Sequence, residues 1–298
     1  MNRMKAALLP DRGVVKVVGD DARAFLNGLL TADIARITPK QAKFAALLTP
    51  QGKIVADCIV AEAPAEDGGG FFLDCPRALA GALVEKLNFY KLRAKVVSQD
   101  LSEALGVMAV WGATGNTEYG LIYADPRLPA LGQRIMLPPH LATEAADDLG
   151  ATLVDASEYE AHRVALGVPR GGIDFIYGDA FPHETDMDQL GGIDFDKGCY
   201  IGQEVVSRME HRGTARNRIV PVTVEGFAPE AGLAVMAGDK PVGTTGSAAG
   251  RHALAMLRLD RVAEAQAAGL PLIAGGVTIT PHKPEWATFN FSGQKAAE

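Results

Sequence analysis

The sequence predicts a chain of mixed helices and strands that ends in a small β-barrel. Three observations carry that expectation. Valine-rich strand runs alternate with helical apolar spacing up to about residue 166. The stretch 168–196 is rich in Gly, Pro and Asp and has little periodicity. From Ile219 onward, short strand runs are separated by Gly and Pro turns over roughly 80 residues, the size of a small barrel. The 298 residues allow for roughly two or three folding units and a core that needs no disulfide or metal.

Residues 13–19 (GVVKVVG) read as a strand. Asp20 and Asp21 stand where an N-cap belongs, ahead of a helix over 22–34 with Phe25, Leu26, Leu29 and Leu30 at helical spacing. AALLTPQGKIVADCIVAEA reads as a hairpin, because Pro50 and Gly52 fit the second and fourth positions of a β-turn. Alternation puts Asp57 and Cys58 on opposite faces of its second strand. A glycine loop at 68–70 leads to the strand FFLDC, then a helix over 77–90, then the strand RAKVV. ALGVMAVWG and GLIYAD predict a strand pair, and 139–149 a helix. Ser157 and Glu160 have capping-box spacing at the start of a helix that ends near Leu166. A helix is expected over 202–211, and a short one over 259–268 within the barrel stretch. A long unpatterned segment such as 168–196 is usually functional or disordered.

Acidic residues outnumber basic ones 36 to 29, a formal net charge of −7. That balance disfavours non-specific attachment to nucleic acid or an anionic membrane, so neither is an expected partner. Cys58, Cys75 and Cys199 form no C-x-x-C pair, which argues against a disulfide framework, a zinc ribbon or a four-cysteine cluster held by this chain alone. The six histidines show no ligand spacing, so a site such as His183, Cys199 and His211 could arise only by folding, and no metal site is expected. P-loop, dinucleotide, H-E-x-x-H and nucleophile-elbow signatures are absent. The N-terminal residues lack an apolar signal region, and no run of about 18 apolar residues occurs. A cytoplasmic protein with reduced thiols is the resulting expectation.

The sharpest local signal is Lys197-Gly198-Cys199-Tyr200-Ile201-Gly202-Gln203-Glu204. Two glycines bracket a cysteine and a tyrosine just ahead of a helix, and glycine permits positive φ and close backbone approach. A thiol ahead of a helix N-terminus, with Lys197 beside it, is predicted to be accessible and acidified. The alternative for Cys199 is a small packing residue, the role expected of Cys58 and Cys75 in their apolar strands. Segment 197–218 holds the bases Lys197, Arg208, Arg212, Arg216 and Arg218 against Glu204 and Glu210, directly after the acid-rich stretch. It reads either as an anion-binding rim or as an internal network of salt bridges.

KGCYIGQE (197–204) resembles the signature of the YgfZ-type folate-binding proteins, relatives of the glycine-cleavage T-protein (aminomethyltransferase). The resemblance extends in order through FLNGLLTADI (25–34), LLTPQGKIVADCIV (47–60), FYKLRAKV (89–96), HRVALGVP (162–169), FPHE (181–184) and PVGTTGS…ALAMLR (241–258). It implies an α+β fold, the T-protein-like cloverleaf. Interleaved α/β subdomains over 1–218, the middle one roughly 45–105, would surround a central folate-sized opening, with a C-terminal β-barrel over 219–298.

The resemblance also implies tetrahydrofolate or a derivative as cofactor. Tyr90 and Arg93 match the family's Y-x-L-R element, and Lys197, Gly198, Tyr200, Gly202, Gln203 and Glu204 would line the site beside Cys199. Arg93 and Lys197 suit the anionic glutamate tail. T-proteins hold the pterin edge with the Glu of an R-x-E-x-G segment, because a carboxylate accepts two adjacent N–H groups. Here that segment reads Arg163-Val164-Ala165-Leu166-Gly167, so the resemblance implies Arg163 as a cofactor-binding residue and Glu184 is the nominated substitute for the missing carboxylate. Asp57 matches a T-protein Asp near the reactive folate nitrogens.

The implied role is support of iron–sulfur cluster assembly or repair. Its partners would be assembly proteins or client iron–sulfur enzymes, among them those that modify tRNA. An aminomethyltransferase is the rival reading, favoured by Asp57 and disfavoured by the missing carboxylate at 165. A non-catalytic interaction protein is the third.

Overall fold

The computed structural model describes residues 3–213 and 215–289, so residues 290–298 of the expected barrel segment lie outside the described residues. The chain forms two compact units, one of residues 1–50, 55–159 and 190–203, the other of 51–54, 160–189 and 204–298.

The first unit runs β1 (Lys5–Leu8), β2 (Arg12–Val18), α1 (Ala22–Leu29), β3 (Lys43–Leu48), β4 (Ile54–Glu62) and β5 (Phe71–Pro76). It continues α2 (Ala80–Tyr90), β6 (Val97–Asp100), β7 (Gly106–Trp111), β8 (Leu121–Ala124), β9 (Gln133–Leu137), α3 (Ala142–Asp148) and β10 (Thr152–Leu153). These strands make two five-stranded sheets, β10-β1-β7-β9-β8 and β3-β4-β5-β2-β6. The chain starts in one sheet, builds the other, then returns to the first, which is the interleaving expected of the cloverleaf.

The hairpin β3–β4 forms as expected, and Gly52 in its turn has a φ of 80°, a conformation that favours glycine. Helix α1 presents Ala22, Leu26 and Leu29 inward at i, i+4 and i+7. Asp21 occupies its N-cap position but does not cap it, since its Oδ2 accepts from the Lys95 backbone N–H at 2.8 Å. The expected strand pair is corrected: β9, which alternates too little to stand out, lies between β7 and β8.

Helix α4 (Ala156–Ala165) starts one residue before Ser157, so the capping box is corrected as well. Asp155 Oδ1 accepts the Ser157 N–H at 2.8 Å, while Glu160 turns to Arg163. Segment 168–196 forms neither helix nor strand, yet it is ordered by burial of Val168, Phe175, His183, Asp186, Met187 and Leu190.

The second unit holds α5 (Gln203–Arg212) and a closed barrel of β11 (Asn217–Val224), β12 (Ala234–Ala237), β13 (Lys240–Ala249), β14 (His252–Arg258), β15 (Leu272–Ala274) and β16 (Val277–Pro281). Helix α6 (Leu259–Ala267) follows β14, as the 259–268 pattern predicts. Val220, Val222, Val235, Leu257 and Ile279 fill the barrel with inward side chains. No helix of the described residues is long and apolar enough to cross a membrane.

Candidate functional site

The turn that carries Cys199 is stitched onto the end of α1. The buried Thr31 hydroxyl donates to Gly192 O at 2.5 Å, and Thr31 O accepts the Asp194 N–H at 3.0 Å. Lys197 completes the attachment. Its ammonium donates to Asn27 O at 2.6 Å in the last turn of α1, to Leu30 O at 2.6 Å at its C-cap and to Ala32 O at 2.8 Å just beyond it. Burial pulls its pKa down to about 8, against the pull of Asp33 and Asp194.

The expected role of Lys197 as an anion partner is thereby corrected, because an ammonium has three donors and all face backbone oxygens. Lys197→Met leaves three carbonyls without a partner at a cost of about 1–3 kcal/mol per group. A destabilisation of about 3 kcal/mol or more is expected in a urea unfolding curve of the first unit.

Cys199 and Gly198 are exposed on this turn. Gly202, with a φ of 82°, turns the chain into α5, a step that favours glycine. Gly198 is different: its φ is not positive, and a Cβ there would meet nothing within 4 Å, so the backbone itself does not call for glycine. Tyr200 is buried, its ring centroid 5.1 Å from Lys197 Nζ, and burial pushes its hydroxyl up to about 12. The Gln203 N–H donates to Tyr200 O at 3.3 Å at the start of α5.

Ile201 and Tyr90 pack against the same apolar core, which also contains Cys58 and Cys75. Tyr90 meets Phe89 edge to face at 5.2 Å, and Arg93 is exposed. Asp57 is buried on β4 rather than solvent-facing. Burial pushes Cys75 up to about 12 and Cys58 well above its ordinary value. Cys199 is thus the exposed thiol of the three.

Three nominated residues, Arg163, Glu184 and Glu204, belong to the second unit. Arg163 is buried and donates to Asp174 Oδ2 at 3.0 Å, Ser247 Oγ at 2.7 Å, both Glu160 oxygens and Val168 O. Both oxygens of Glu184 are engaged, one by the Phe181 N–H at 2.9 Å and one by Asn217 Nδ2 at 2.9 Å. Glu184 caps its own turn, so its nomination as the pterin carboxylate is corrected, as is that of Arg163 as a cofactor ligand. Glu204 is exposed in the first turn of α5.

The expected anion-binding rim also divides. Arg218 is an internal partner of Asp188, at 2.6 and 2.9 Å, while Arg208, Arg212 and Arg216 are exposed. Sequence reasoning missed one cluster: His183, Asp188 and Glu210 bring ligand-type atoms within 4.8 Å of one another. His183 and Asp188 are five residues apart in a stretch without regular structure and Glu210 is 22 residues further on, a spacing that no metal motif marks.

Residues 11–117 match the GCVT N-terminal domain family, and residues 216–289 match the C-terminal β-barrel domain of CAF17. The crystal structure of the glycine cleavage system aminomethyltransferase T from Bartonella henselae superposes with a TM-score of 0.75 over 96% of this chain and 86% of that one, at 16% identity, a likeness of fold. The mitochondrial iron–sulfur cluster assembly factor IBA57 homolog of Mycosarcoma maydis is 34% identical over 77% of this chain, which spans only 60% of that protein. The mitochondrial iron–sulfur cluster assembly factor IBA57 of Mus musculus is 32% identical over 85% of this chain and 77% of its own length. The expected cytoplasmic location is corrected by these relatives, both of which are mitochondrial by name. An interleaved body, a terminal barrel and relatives that share most of their length with it make this chain a member of the IBA57 family of iron–sulfur cluster assembly factors.

Proposed function

We propose that the chain supports the assembly or repair of iron–sulfur clusters, that Cys199 is its point of contact with cluster or sulfur, and that it binds a tetrahydrofolate in the manner of YgfZ-type proteins. The contrast among the three thiols carries this reading. Cys58 and Cys75 are buried and held as thiols by burial, whereas Cys199 is exposed on a turn anchored by Lys197. A thiol so placed can reach a partner's cluster, and its rigid mount costs little entropy on docking. Its partners are then iron–sulfur assembly proteins or client enzymes, including those that modify tRNA.

Folate rests on other residues: Asp57, Tyr90, Arg93, Tyr200 and the glycines Gly198 and Gly202, all in the first unit. A fold does not by itself imply a ligand, so the reading rests on these residues and not on the fold. Burial of Asp57 favours the second reading, an aminomethyltransferase, because a carboxylate kept from solvent is suited to act on a cofactor nitrogen.

Calorimetric titration of the purified chain with tetrahydrofolate, repeated with glycine-cleavage carrier protein and an activity assay, separates these readings. Saturable heat with no turnover, and an Asp57→Asn variant that still restores iron–sulfur enzyme activity in deficient cells, is the expected result. Absence of binding removes the folate part. Turnover that Asp57→Asn abolishes would replace the maturation reading with the transferase.

A further inference from the structure

We infer that the second unit contains a site for one divalent first-row transition ion, built from His183 Nε2, an Asp188 oxygen and a Glu210 oxygen. This inference is independent of the folate and cluster reading. The three donors lie within 4.8 Å of one another, and His183 Nε2 is 3.0 Å from Glu210 Oε2. Around an ion, ligand atoms at about 2.0–2.2 Å from the metal are roughly 3–4 Å apart. A small closing movement is therefore enough, and Glu210 can supply it: its side chain is 46% exposed on α5, while that of His183 is 2% exposed and fixed.

Asp188 keeps the capacity to ligate. A carboxylate oxygen offers two acceptor positions: Oδ2 fills both with Arg218 Nη2 and Gln189 Nε2, whereas Oδ1 accepts from Arg218 Nη1 and keeps the second for an ion. Arg218 thus orients the carboxylate as an outer-shell donor does in a metal site.

A second observation points the same way. Asp186 shares Arg218 Nη1 with Asp188, at 3.3 Å, and its other oxygen, Oδ2, is fully buried with no hydrogen-bond partner among the described residues. Asp186 and Asp188 therefore share one guanidinium, two carboxylates against one cation. Buried acceptors in excess of donors are costly, and a cation is the group that satisfies them. One imidazole with carboxylates suits Mn²⁺, Fe²⁺ or Zn²⁺, with positions left open for water.

Mn²⁺ is the discriminating probe, because thiolates do not select it and Cys199 stays silent. The chelator-treated full chain is titrated with Mn²⁺, and the free ion is followed by electron paramagnetic resonance. One Mn²⁺ per chain is expected, with affinity at least about tenfold lower in Glu210→Gln, the loss typical even of an outer-shell change. The half-exposed position of Glu210 lets this variant keep the parent circular dichroism spectrum. No Mn²⁺ bound by the parent chain, or equal affinity in a folded Glu210→Gln, overturns the site.

Discussion

Replacing Arg134 by methionine is expected to destabilise the first unit by about 3–5 kcal/mol, the range for breaking a buried ion pair from one side. Arg134 sits on β9 and reaches into the second sheet, where Nη1 meets Asp74 Oδ2 on β5 at 2.5 Å, while Nε holds Asp125 Oδ2 at 2.9 Å. Arg12 Nε holds the other Asp74 oxygen at 2.6 Å, and the Tyr123 hydroxyl adds 3.2 Å. Arg127 chelates Asp125. The network is the polar rivet between the two sheets, and methionine would leave Asp74 and Asp125 buried with too little positive charge.

Burial alone would raise the Asp74 carboxyl, but Arg12 and Arg134 overcome it and hold the group below its ordinary value. Arg127 and Arg134 do the same for Asp125. A depressed carboxyl stabilises the fold above its unfolded pKa of about 3.9 and stops doing so as pH falls through the folded value. The gap between parent and variant should therefore be full at pH 7 and narrow below about pH 4. Guanidinium titrations followed through Trp111, which packs on Tyr159 at 5.4 Å, report this unit. A loss under about 1 kcal/mol would mean that water replaces the guanidinium without strain.

The second large effect is functional. Cys199→Ser should keep the parent melting curve and yet fail to restore iron–sulfur enzyme activity in cells lacking the protein. Iodoacetamide at neutral pH should label Cys199 in the native chain, and Cys58 and Cys75 only after unfolding, since burial denies them both access and the thiolate form. One thiol does not hold a cluster, which takes about four protein ligands, so the remaining ligands must come from a partner. Full rescue by a folded Cys199→Ser variant would remove the chemical role and leave KGCYIGQE as a structural turn.

Much of the fold was legible because apolar periodicity reports burial directly. The hairpin around Pro50 and Gly52, the helix at 259–268 and the barrel strands all follow from it. The strand β9 escaped because QRIML opens with the polar pair Gln133 and Arg134 and has only three apolar residues, and the partner of Arg134 is Asp74 in another sheet. Site residues were legible as types and not as partners. Lys197 reads as a free cation, yet it meets carbonyls 165 residues away along the chain, and carbonyls have no letter in a sequence. Glu184 likewise reads as a spare carboxylate until Asn217 and the Phe181 amide are in view. The exposed thiol was legible because glycine on both sides and a following helix are all local.

The return of the chain to its first sheet has a consequence on the ribosome. The sheet containing β2 to β6 can be completed once residue 100 has emerged. Strand β1, made first, pairs with β7 at 106–111 and with β10 at 152–153. At about 5–20 residues per second, β1 waits roughly 7–30 s of synthesis for its last neighbour. During that interval Lys5–Leu8 is a short strand with at least one edge unpaired, and its four-residue length and leading lysine limit its capture by another chain.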